Sequence, residues 1–489
     1  MTSESSALEL KQEGNKAFVE KRYTHALECY TKAIEKDDTQ AVLYANRAQA
    51  LIRLEEFGNA IADATKAIEL DANYAKAYYR RAVAKMAIMK HQEALADFKL
   101  VVVKAPGDAG AKAQLAECQK MVRRLAFERA IEVEKGPSVS ETIDLDSVRM
   151  DNEGGPTLDI EDRTEKGARK NSGITVKMTQ EFIDQMIEGF KNKKLLPRKY
   201  VYAIVLNALA LFEKDPTVVD INVGEGETLT VCGDTHGQFY DLLEIFRKNG
   251  KPSATHKYLF NGDFVDRGSW STEVALTLYC YKLLYPQSFF INRGNHETDN
   301  MNKVYGFEGE CQAKYVSEQV FKLFSESFSA LPLASLIGNS YFVVHGGLFS
   351  TDGVTLDQIR KLDRFAQRQP GTEGMMTDML WTDPQPDNGR KASKRGVGIE
   401  FGPDVTKRFC HDNNLKAVIR SHEVRMEGYS KEHDGQLITV FSAPNYCDSE
   451  GNKGAYINVD SKLELSFEQF TAVPHPDIRP MAYASRLAF

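Results

Sequence analysis

The sequence predicts a multidomain protein in which an all-α superhelix is followed by an α/β domain. Two observations lead to this prediction: a 34-residue period over residues 7–108, and a later alternation of short apolar runs with stretches of helical length. Between them, at residues 135–175, the composition changes. We therefore divide the chain into repeats with a capping helix, a linker, an α/β domain and a tail, at residues 7–134, 135–175, 176–473 and 474–489.

The repeats are defined by small residues at fixed positions in three blocks, residues 7–40, 41–74 and 75–108. The aligned positions hold Gly14, Ala48 and Ala82; Ala26, Ala60 and Ala94; and Ala33, Ala67 and Val101. Small residues let two antiparallel helices approach closely, and a 34-residue period of this kind is typical of tetratricopeptide repeats. Three repeats give six helices that stack with a concave inner face. The amphipathic stretch 110–134 is expected to cap the last repeat.

The segment after the repeats has the composition of a linker. Residues 135–173 contain no Phe, Tyr or Trp and are rich in Glu, Asp, Ser and Gly. Such a segment buries too little apolar surface to fold alone, so we predict that it is mostly extended or disordered. Four apolar side chains are available for local packing: Ile143, Leu145, Val148 and Leu158.

In the α/β domain, three glycine-bounded motifs each follow a short apolar run. The runs are 229–232, 258–260 and 289–291, and the motifs are Gly-Asp-Thr-His-Gly at 233–237, Gly-Asp-Phe-Val-Asp-Arg-Gly at 262–268 and Gly-Asn-His-Glu at 294–297. Apolar runs of this length predict buried strands, and the stretches 239–246 and 272–284 predict crossover helices. Helices are also predicted at 179–191 and 197–214. The polar loops are therefore expected to gather at the strand ends.

Two more histidines follow short apolar runs: His345 after residues 341–344, and His422 soon after residues 417–419. A lone histidine is more often a hydrogen-bonded core or loop residue than a metal ligand. Here the arrangement recurs, and the loops combine carboxylate, imidazole and amide groups. These groups suit hard-to-borderline divalent ions, so the sequence predicts a site for Mn, Fe, Zn or Mg.

From about residue 176 onward, these motifs resemble the serine/threonine phosphoprotein phosphatases, a family of dinuclear metallophosphoesterases. The resemblance includes Leu-Trp-Thr-Asp-Pro at 380–384 and Ser-Ala-Pro-Asn-Tyr at 442–446. It implies a metallophosphoesterase fold, with a β-sandwich core flanked by helices, and two divalent metal ions per domain. By motif position, one ion would be bound by Asp234 and His236, the other by Asn295, His345 and His422, and both by Asp263.

The resemblance also implies roles in catalysis and phosphate binding. His296 would be the general acid that protonates the leaving oxygen, and Asp266 would fix its tautomer and raise its pKa. The phosphate would be bound by Arg267, Arg395, Asn295, His296 and Tyr446. Without the resemblance, Arg395 is more simply a solvated charge in the basic stretch 391–395.

Two features depart from the family pattern. Asn292 stands where the family usually has an apolar residue, and a polar side chain there could perturb the packing of the strand end. The proline-rich tail 474–489 resembles a truncated form of the family's C-terminal segment, with room for short helical turns at 481–489. Because every expected ligand and the acid are present, we do not predict a pseudoenzyme.

The first helices of the repeats carry polar residues at matching register: Lys11, Asn15, Asn46, Lys76 and Arg80. Equivalent positions on successive first helices line the concave groove, so three cations and two amides are expected to converge there. Any one of the cations alone is more simply a solvated surface charge. Together the five resemble the carboxylate clamp of co-chaperone tetratricopeptide domains. That resemblance implies a partner: the C-terminal Asp of the heat-shock ninety chaperone, or of heat-shock seventy.

Composition narrows the function classes. A net charge of −7 argues against a nucleic-acid-binding protein that relies on bulk positive charge. No apolar run is long enough for a membrane span, and residues 1–5 do not begin a secretory signal. Seven dispersed cysteines indicate reduced thiols. A cytoplasmic and nuclear location is expected.

The predicted function is dephosphorylation of phosphoserine and phosphothreonine in proteins, by attack of a hydroxide that the two metal ions activate. The repeats are expected to recruit the enzyme to chaperone complexes. As a tethered domain they are also expected to inhibit it, since the family is known for such autoinhibition. The alternatives are a phosphodiesterase or small-molecule phosphatase on the same site, and a chaperone-binding adaptor with a silent phosphatase domain.

Overall fold

The computed structural model describes residues 6–132, 138–150, 155–165, 168 and 170–484. Contacts divide the chain into two units. The described residues of the first unit are 6–132 and the segment Ala392–Gly398. The second unit comprises Pro137–Lys391 and Ile399–Ala484.

Residues 6–132 of the first unit form helices joined by short turns. Its helices are α1 (Ala7–Val19), α2 (Tyr23–Lys36), α3 (Ala41–Arg53), α4 (Phe57–Leu70), α5 (Ala75–Ala87), α6 (His91–Lys104) and α7 (Ala109–Glu132). Helix α1 begins with a capping box: the Ser6 hydroxyl accepts the N–H of Glu9, and the Glu9 carboxylate accepts the N–H of Ser6. Each 34-residue block thus holds two helices.

Small residues bring the paired helices together. A Cβ on Gly14 would lie 2.7 Å from Cε1 of Tyr30, so glycine is required where α1 meets α2. At the equivalent positions of the next repeats, Ala48 and Ala82 are fully buried. The spacing that predicted the repeats therefore marks the contacts between their helices.

The second unit combines helices with two large sheets. Its described helices are α8 (Val139–Thr142), α9 (Gln180–Lys191), α10 (Arg198–Phe212), α11 (Phe239–Asn249), α12 (Ser271–Leu284), α13 (Asp299–Tyr305), α14 (Phe307–Tyr315), α15 (Glu318–Ser329), α16 (Leu356–Arg360), α17 (Met375–Trp381) and α18 (Pro403–Asp412). Its strands are β1 (Asp159–Asp162), β2 (Ile174–Lys177), β3 (Val218–Ile221), β4 (Thr228–Cys232), β5 (His256–Asn261), β6 (Phe289–Asn292), β7 (Ala334–Ile337), β8 (Tyr341–Val344), β9 (Asp383–Pro384), β10 (Arg390–Ala392), β11 (Ile399–Phe401), β12 (Ala417–Arg420), β13 (Tyr429–Glu432), β14 (Leu437–Val440), β15 (Gly454–Val459) and β16 (Leu465–Phe470). Among the described residues, no helix has the length and apolar character needed to cross a membrane.

The two large sheets form a sandwich. One has the strand order β16-β15-β4-β5-β6, and the other has the order β13-β14-β12-β8-β7-β3. Strands β4, β5 and β6 are parallel neighbours, as are β8, β12 and β14. The facing sides pack through apolar residues such as Val231, Leu259, Val343 and Ile419, while α9, α10, α12 and α15 cover the other side of the five-stranded sheet. The predicted fold class, helical repeats followed by a metallophosphoesterase-type sandwich flanked by helices, is confirmed.

The predicted linker contains regular structure. Within it lie α8 and the antiparallel pair β1–β2. Ile143, Leu145 and Leu158 are buried in the same apolar core as α9 and α10, and Val148 packs against it. The composition suggested a mostly extended or disordered segment, but the neighbouring helices supply the apolar surface that the segment lacks.

The described part of the tail lies against the second unit. The N–H of Val473 donates to Asp241 Oδ1 at 2.9 Å, and the N–H of Met481 donates to the carbonyl of Arg267 at 2.7 Å. Residues 480–483 form a turn. Residues 485–489, where a further helical turn is expected, lie outside the described residues.

Candidate active site

Five loops that follow parallel strands bring the predicted metal ligands together. Asp234, Asp263 and Asn295 follow β4, β5 and β6, which are neighbours in one sheet. His345 and His422 follow β8 and β12, which are neighbours in the other. Because the carboxyl ends of parallel strands share one edge of a sheet, side chains far apart in the sequence meet there.

The loop backbone holds these side chains in uncommon conformations. His236, Asp263 and His422 have positive φ angles of 39°, 49° and 71°. Such angles are rare for residues with side chains and cluster at functional sites. At Gly262, a Cβ would lie 2.5 Å from the backbone nitrogen of Gly294. The loops after β5 and β6 therefore approach this closely because glycine occupies the contact.

Asp263 lies at the centre of the ligand set. Its Oδ2 is 3.6 Å from His236 Nε2 and 3.3 Å from His345 Nε2, while its Oδ1 accepts the N–H of His296 at 2.8 Å. Ligand atoms of His236, Asp263 and His296 lie within 4.8 Å of one another, as do those of Asp263, His345 and His422. A carboxylate between two such groups can bridge two ions.

Hydrogen bonds set the tautomers of two histidines. Nδ1 of His236 is 3.0 Å from the carbonyl of Val265, and Nδ1 of His345 is 2.9 Å from the carbonyl of Asn261. A carbonyl oxygen only accepts, so each Nδ1 carries the proton and donates it. Each Nε2 then presents a lone pair to the site, as a metal ligand does.

Two observations test whether a divalent ion fits. Asp234 is 1% exposed, and its Oδ2 has no hydrogen-bond partner in the part of the chain that the structure describes. The side-chain oxygen of Asn295 lies 2.9 Å from Asp263 Oδ2 and 3.0 Å from His345 Nε2, and both atoms are acceptors. A cation between these atoms, or a rotated amide, would relieve their repulsion. Buried acceptors that converge on one point are the ligand set of a divalent cation, so the residues fit the predicted ions.

Burial also makes the charged carboxylates costly. Desolvation, reinforced by repulsion from Asp263, raises the pKa of Asp234 to about 8. Desolvation likewise raises the pKa of Glu297 to about 8, and it lowers the pKa of His345 and, more strongly, that of His236. Neutral imidazoles beside buried carboxylates favour the binding of a cation, because its charge would offset the loss of solvation.

His296 and Asp266 form a hydrogen-bonded pair beside these ligands. His296 Nδ1 is 2.9 Å from Asp266 Oδ2, and the rings of His296 and His236 are 4.8 Å apart. Asp266 is fully buried and also accepts the N–H of Phe307 at 2.8 Å and the amide of Asn302 at 2.9 Å. Desolvation raises the pKa of Asp266 to about 7, against the effect of these two hydrogen bonds. The pair fixes the ring, so proton exchange with a substrate falls to Nε2.

Two further residues predicted to bind phosphate lie in the second unit. Arg267 is 3% exposed, and its guanidinium carbon is 3.9 Å from the centre of the Tyr305 ring. The ring of Tyr446 is 5.2 Å from that of His236. Arg395 belongs to the first unit, so its contact with phosphate stays a prediction.

Glu297 supports the site, although the sequence interpretation gave it no role. Its buried carboxylate accepts the N–H groups of Asp263, Phe264 and Gly294, each at 2.8–3.0 Å. It thereby joins the loop after β5 to the loop after β6. Its place in the Gly-Asn-His-Glu motif was the signal that could have identified it.

Two asparagines show what the sequence did not reveal. Asn302 follows no motif, and its amide donates to the carbonyl of His296 at 2.6 Å. Asn292, which could have perturbed the strand end, is fully buried and satisfied. Its amide donates to Asn261 Oδ1 at 2.9 Å, and its oxygen accepts the Ser335 hydroxyl at 2.8 Å. The departure from the family pattern is thus accommodated by a hydrogen-bond network.

On the repeats, three of the five predicted groove residues are connected. Asn46 Nδ2 donates to Asn15 Oδ1 at 3.1 Å, and Arg80 Nη1 donates to Asn46 Oδ1 at 3.2 Å. This chain of hydrogen bonds crosses α1, α3 and α5. Gln49, which was not predicted, accepts from Arg80 Nε at 3.2 Å. The other two predicted residues, one turn earlier on α1 and α5, are Lys11 and Lys76.

Known proteins resemble both parts of the chain. Residues 228–426 match the family model of the calcineurin-like phosphoesterases, and residues 115–220 match that of the PPP5 TPR repeat region. The serine/threonine-protein phosphatase T of Aspergillus oryzae is 60% identical over 479 residues, which cover 98% of this chain and 97% of that one. The human serine/threonine-protein phosphatase 5 is 51% identical over 484 residues, which cover 98% and 93%.

A solved structure supports the same relationship. The protein serine/threonine phosphatase from Saccharomyces cerevisiae with similarity to human phosphatase PP5 matches with a TM-score of 0.60 and 52% identity. The match covers 63% of this chain and 100% of that one. The calcineurin-like match also implies divalent metal ions, for which the Asp and His clusters supply ligands. With relatives this similar over almost its whole length, the chain belongs to the serine/threonine-protein phosphatase T and 5 family, metallophosphoesterases preceded by tetratricopeptide repeats.

Proposed function

We propose that this enzyme removes phosphate from phosphoserine and phosphothreonine in proteins at the loops that follow β4, β5, β6, β8 and β12. The observation that carries the proposal is the buried imidazole of His296, hydrogen-bonded to Asp266 beside convergent carboxylate and imidazole ligands. A phosphoserine ester resists hydrolysis because its phosphate is negatively charged and its leaving alkoxide is strongly basic. The residues of the site address both difficulties.

Two divalent ions would be held by Asp234, His236, Asp263, Asn295, His345 and His422, with Asp263 shared. Ions bound there supply Lewis acidity, which neutralises phosphate charge and makes water a stronger nucleophile near neutral pH. Manganese is among the ions that this ligand set suits. Arg267 would donate to the phosphate oxygens, since its planar guanidinium offers two parallel N–H groups. Its contact with Tyr305 orients that guanidinium.

His296 would supply the proton that the leaving oxygen needs. Its Nδ1–H donates to Asp266, so Nε2 is the atom that exchanges a proton with the substrate. When Asp266 is ionised, its negative charge favours the imidazolium form of His296. As the P–O bond breaks, Nε2 gives its proton to the serine or threonine oxygen, and the neutral alcohol leaves.

An assay of a phosphoserine peptide and a phosphodiester, each with and without Mn²⁺, tests the proposal. We expect the peptide to be hydrolysed faster, and its hydrolysis to depend on added Mn²⁺ after chelation. Equal or faster hydrolysis of the diester would instead favour a phosphodiesterase. A protein with full metal content and no turnover of either substrate would favour an adaptor with a silent phosphatase domain.

We also propose that the groove of the repeats binds the free C-terminus of a heat-shock ninety chaperone, or of heat-shock seventy. The support is the chain of hydrogen bonds from Asn15 through Asn46 to Arg80, which aligns amides and a cation along the first helices. A C-terminal Asp carries two carboxylates, and the groove offers both kinds of donor that pair with them.

Calorimetry with a Met-Glu-Glu-Val-Asp peptide tests this binding. The free acid should bind, more weakly as salt rises, and Arg80→Ala should abolish binding. Lys66→Ala is the matched control, because it removes a half-exposed cation from α4, the second helix of its repeat. It should bind as the wild type does. Equal binding of the C-terminally amidated peptide would contradict the proposal.

We further propose that the repeats inhibit the phosphatase within the same chain. In the first unit, the N–H groups of Gly58 and Asn59, at the start of α4, donate to the carbonyl of Lys394 at 2.8 and 3.2 Å. Lys394 is next to Arg395, so the repeats contact the segment that carries a predicted phosphate ligand. A tethered domain acts at high effective concentration, so even weak docking would inhibit.

The test of inhibition is a fragment that starts at Ser138, which retains the buried residues around α8. Against a protein-sized phosphorylated substrate, it should turn over faster than the full chain. Equal rates for the two proteins would count against inhibition by the repeats.

A further inference from the structure

Repeats two and three each contain a buried ion pair that joins the two helices of the repeat. In repeat two, Arg47 of α3 donates to both carboxylate oxygens of Asp63 of α4, at 2.6 and 2.7 Å. In repeat three, Arg81 of α5 donates in the same way to Asp97 of α6, at 2.9 and 2.7 Å. The Asp side chains are 10% and 4% exposed. A two-bond contact of this kind fixes one helix against the other.

Repeat one has different residues at these positions. Thirty-four residues before Arg47 and Asp63 are Glu13 on α1 and Cys29 on α2, and His25 precedes Cys29 by four residues. His25 Nε2 is 3.1 Å from Glu13 Oε1 and 3.7 Å from Cys29 Sγ. Ligand atoms of all three residues lie within 4.8 Å of one another. A carboxylate, an imidazole and a thiol thus converge where the other repeats place an ion pair.

The separations between these atoms match those of a tetrahedral zinc site. With Zn–N and Zn–O bonds of about 2.0–2.1 Å and a Zn–S bond of about 2.3 Å, tetrahedral angles separate N from O by about 3.3 Å and N from S by about 3.6 Å. The corresponding separations here are 3.1 and 3.7 Å. A thiolate combined with an imidazole suits Zn²⁺ and disfavours the harder Mg²⁺ and Ca²⁺.

The three residues are also arranged for a cation to enter from solvent. The side chains of His25 and Glu13 are 38% and 54% exposed, whereas Cys29 is 3% exposed. His25 and Cys29 are four residues apart on α2, so they share one face of the helix. The thiol therefore lies at the inner end of a small site, and water can complete the coordination at the outer end.

We propose that Glu13, His25 and Cys29 bind Zn²⁺, and that the bound ion joins α1 to α2 as the arginine–aspartate pairs join the helices of the other repeats. Without the ion, Glu13 and His25 attract each other as charges only while His25 is protonated. The ion would also steady Asn15 of the groove, which lies on α1 and accepts the hydroxyl of Tyr30 at 2.8 Å, beside Cys29.

Cobalt is the probe for this site, because a cobalt–thiolate bond absorbs in the near ultraviolet and the predicted phosphatase ligands include no cysteine. Metal-depleted full-length protein should develop this absorption with Co²⁺ and lose it when Zn²⁺ displaces the cobalt. Cys29→Ser should lack the absorption, and His25→Ala should weaken Zn²⁺ binding about tenfold or more. Cys118→Ser, at another buried cysteine of the repeat unit, is the matched control and should keep it. No absorption in the wild type, or absorption that persists in Cys29→Ser, would overturn the proposal.

A second variant separates metal binding from loss of folding. Glu13→Arg combined with Cys29→Asp installs in repeat one the pair found at Arg47 and Asp63. In the full chain, Zn²⁺ should slow hydrogen exchange of α1 and α2 in the wild type and leave it unchanged in the double variant. The double variant should be protected in these helices even without zinc. If zinc protects the two helices equally in both proteins, the ion acts elsewhere and the proposal fails.

Discussion

The repeats and the strand-end site of the α/β unit bury carboxylates in different ways. In repeats two and three, Asp63 and Asp97 each receive two hydrogen bonds from an arginine of the neighbouring helix. At the strand ends, Asp234 is 1% exposed, yet its Oδ2 has no hydrogen-bond partner among the described residues, and burial raises its pKa to about 8. A buried charge that is already paired indicates packing, whereas buried acceptors that converge without a counterion indicate a cation site.

This contrast predicts that substitutions at the strand ends lower catalytic activity more than stability. The largest loss of activity is expected at Asp263. Its carboxylate lies between the two groups of histidines, so Asp263→Asn would remove charge from both proposed ion positions. Hydrolysis of a phosphoserine peptide should fall to background, and metal content measured by mass spectrometry should fall with it. Asp378→Asn is the control: it is also buried, but it accepts from Ser350, and it should keep metal and activity. Full metal content in Asp263→Asn would contradict the assignment.

His296→Ala should have the next largest effect, and it should separate proton transfer from metal binding. We expect kcat for a phosphoserine peptide to fall roughly a hundredfold or more, with metal content unchanged. For an aryl phosphate with an acidic phenol, the loss should be much smaller, because that leaving group departs without a proton. Equal losses for the two substrates, or an emptied metal site, would show that His296 is not the general acid.

In the repeats, a substitution that breaks a buried ion pair should lower stability. Arg47→Ala leaves Asp63 buried without its arginine, so we expect a loss of about 2–3 kcal/mol, somewhat less than for a fully buried pair. Arg81→Ala should cost less, since Lys85 Nζ also lies 2.9 Å from Asp97 Oδ2. Hydrogen exchange of α3 and α4, compared with α5 and α6, measures both in the full chain. A larger loss for Arg81→Ala would break the comparison.

The sequence predicted those features of both units that a motif or a repeat period marks along the chain. The 34-residue period predicted that the first helices of the repeats line one groove, and hydrogen bonds join Asn15, Asn46 and Arg80 on those helices. The strand-end motifs likewise identified the residues that meet around Asp263. A motif or a repeat period can be recognised from the sequence because its residues are separated by fixed distances along the chain.

Other residues depend on contacts that no local pattern encodes. Asn302 of α13 donates to the carbonyl of His296, and Gln49 of repeat two accepts from Arg80 of repeat three. Leu158 became part of the core because α9 and α10 offer it an apolar surface. Metal identity, chaperone binding and the cytoplasmic and nuclear location depend on molecules outside the chain, so they stay predictions. Inhibition by the repeats also stays a prediction, because no local sequence pattern encodes it.

Asp241 is intermediate between the arginine-paired carboxylates of the repeats and the strand-end carboxylates. It is buried and accepts hydrogen bonds from neutral donors. It is 4% exposed and receives the N–H of Val473 at 2.9 Å and the amide of Gln238 at 2.8 Å. Desolvation outweighs these bonds and raises its pKa from 3.8 to about 6. The folded protein therefore binds this proton more tightly than the unfolded chain does.

The smallest expected effect is that of Asp241 on the pH dependence of stability. Between about pH 4 and pH 6 the unfolded chain has already released the proton that folded Asp241 still holds, so the contribution of Asp241 to stability falls as pH rises. Asp241→Asn removes the titration. The free energy of unfolding of the wild type minus that of the variant should thus decline over this range and be constant above it. Both tryptophans, Trp270 and Trp381, lie in the second unit, so their fluorescence follows its unfolding. A difference that increases with pH would mean that the fold stabilises the charged carboxylate, and it would contradict a raised pKa for Asp241.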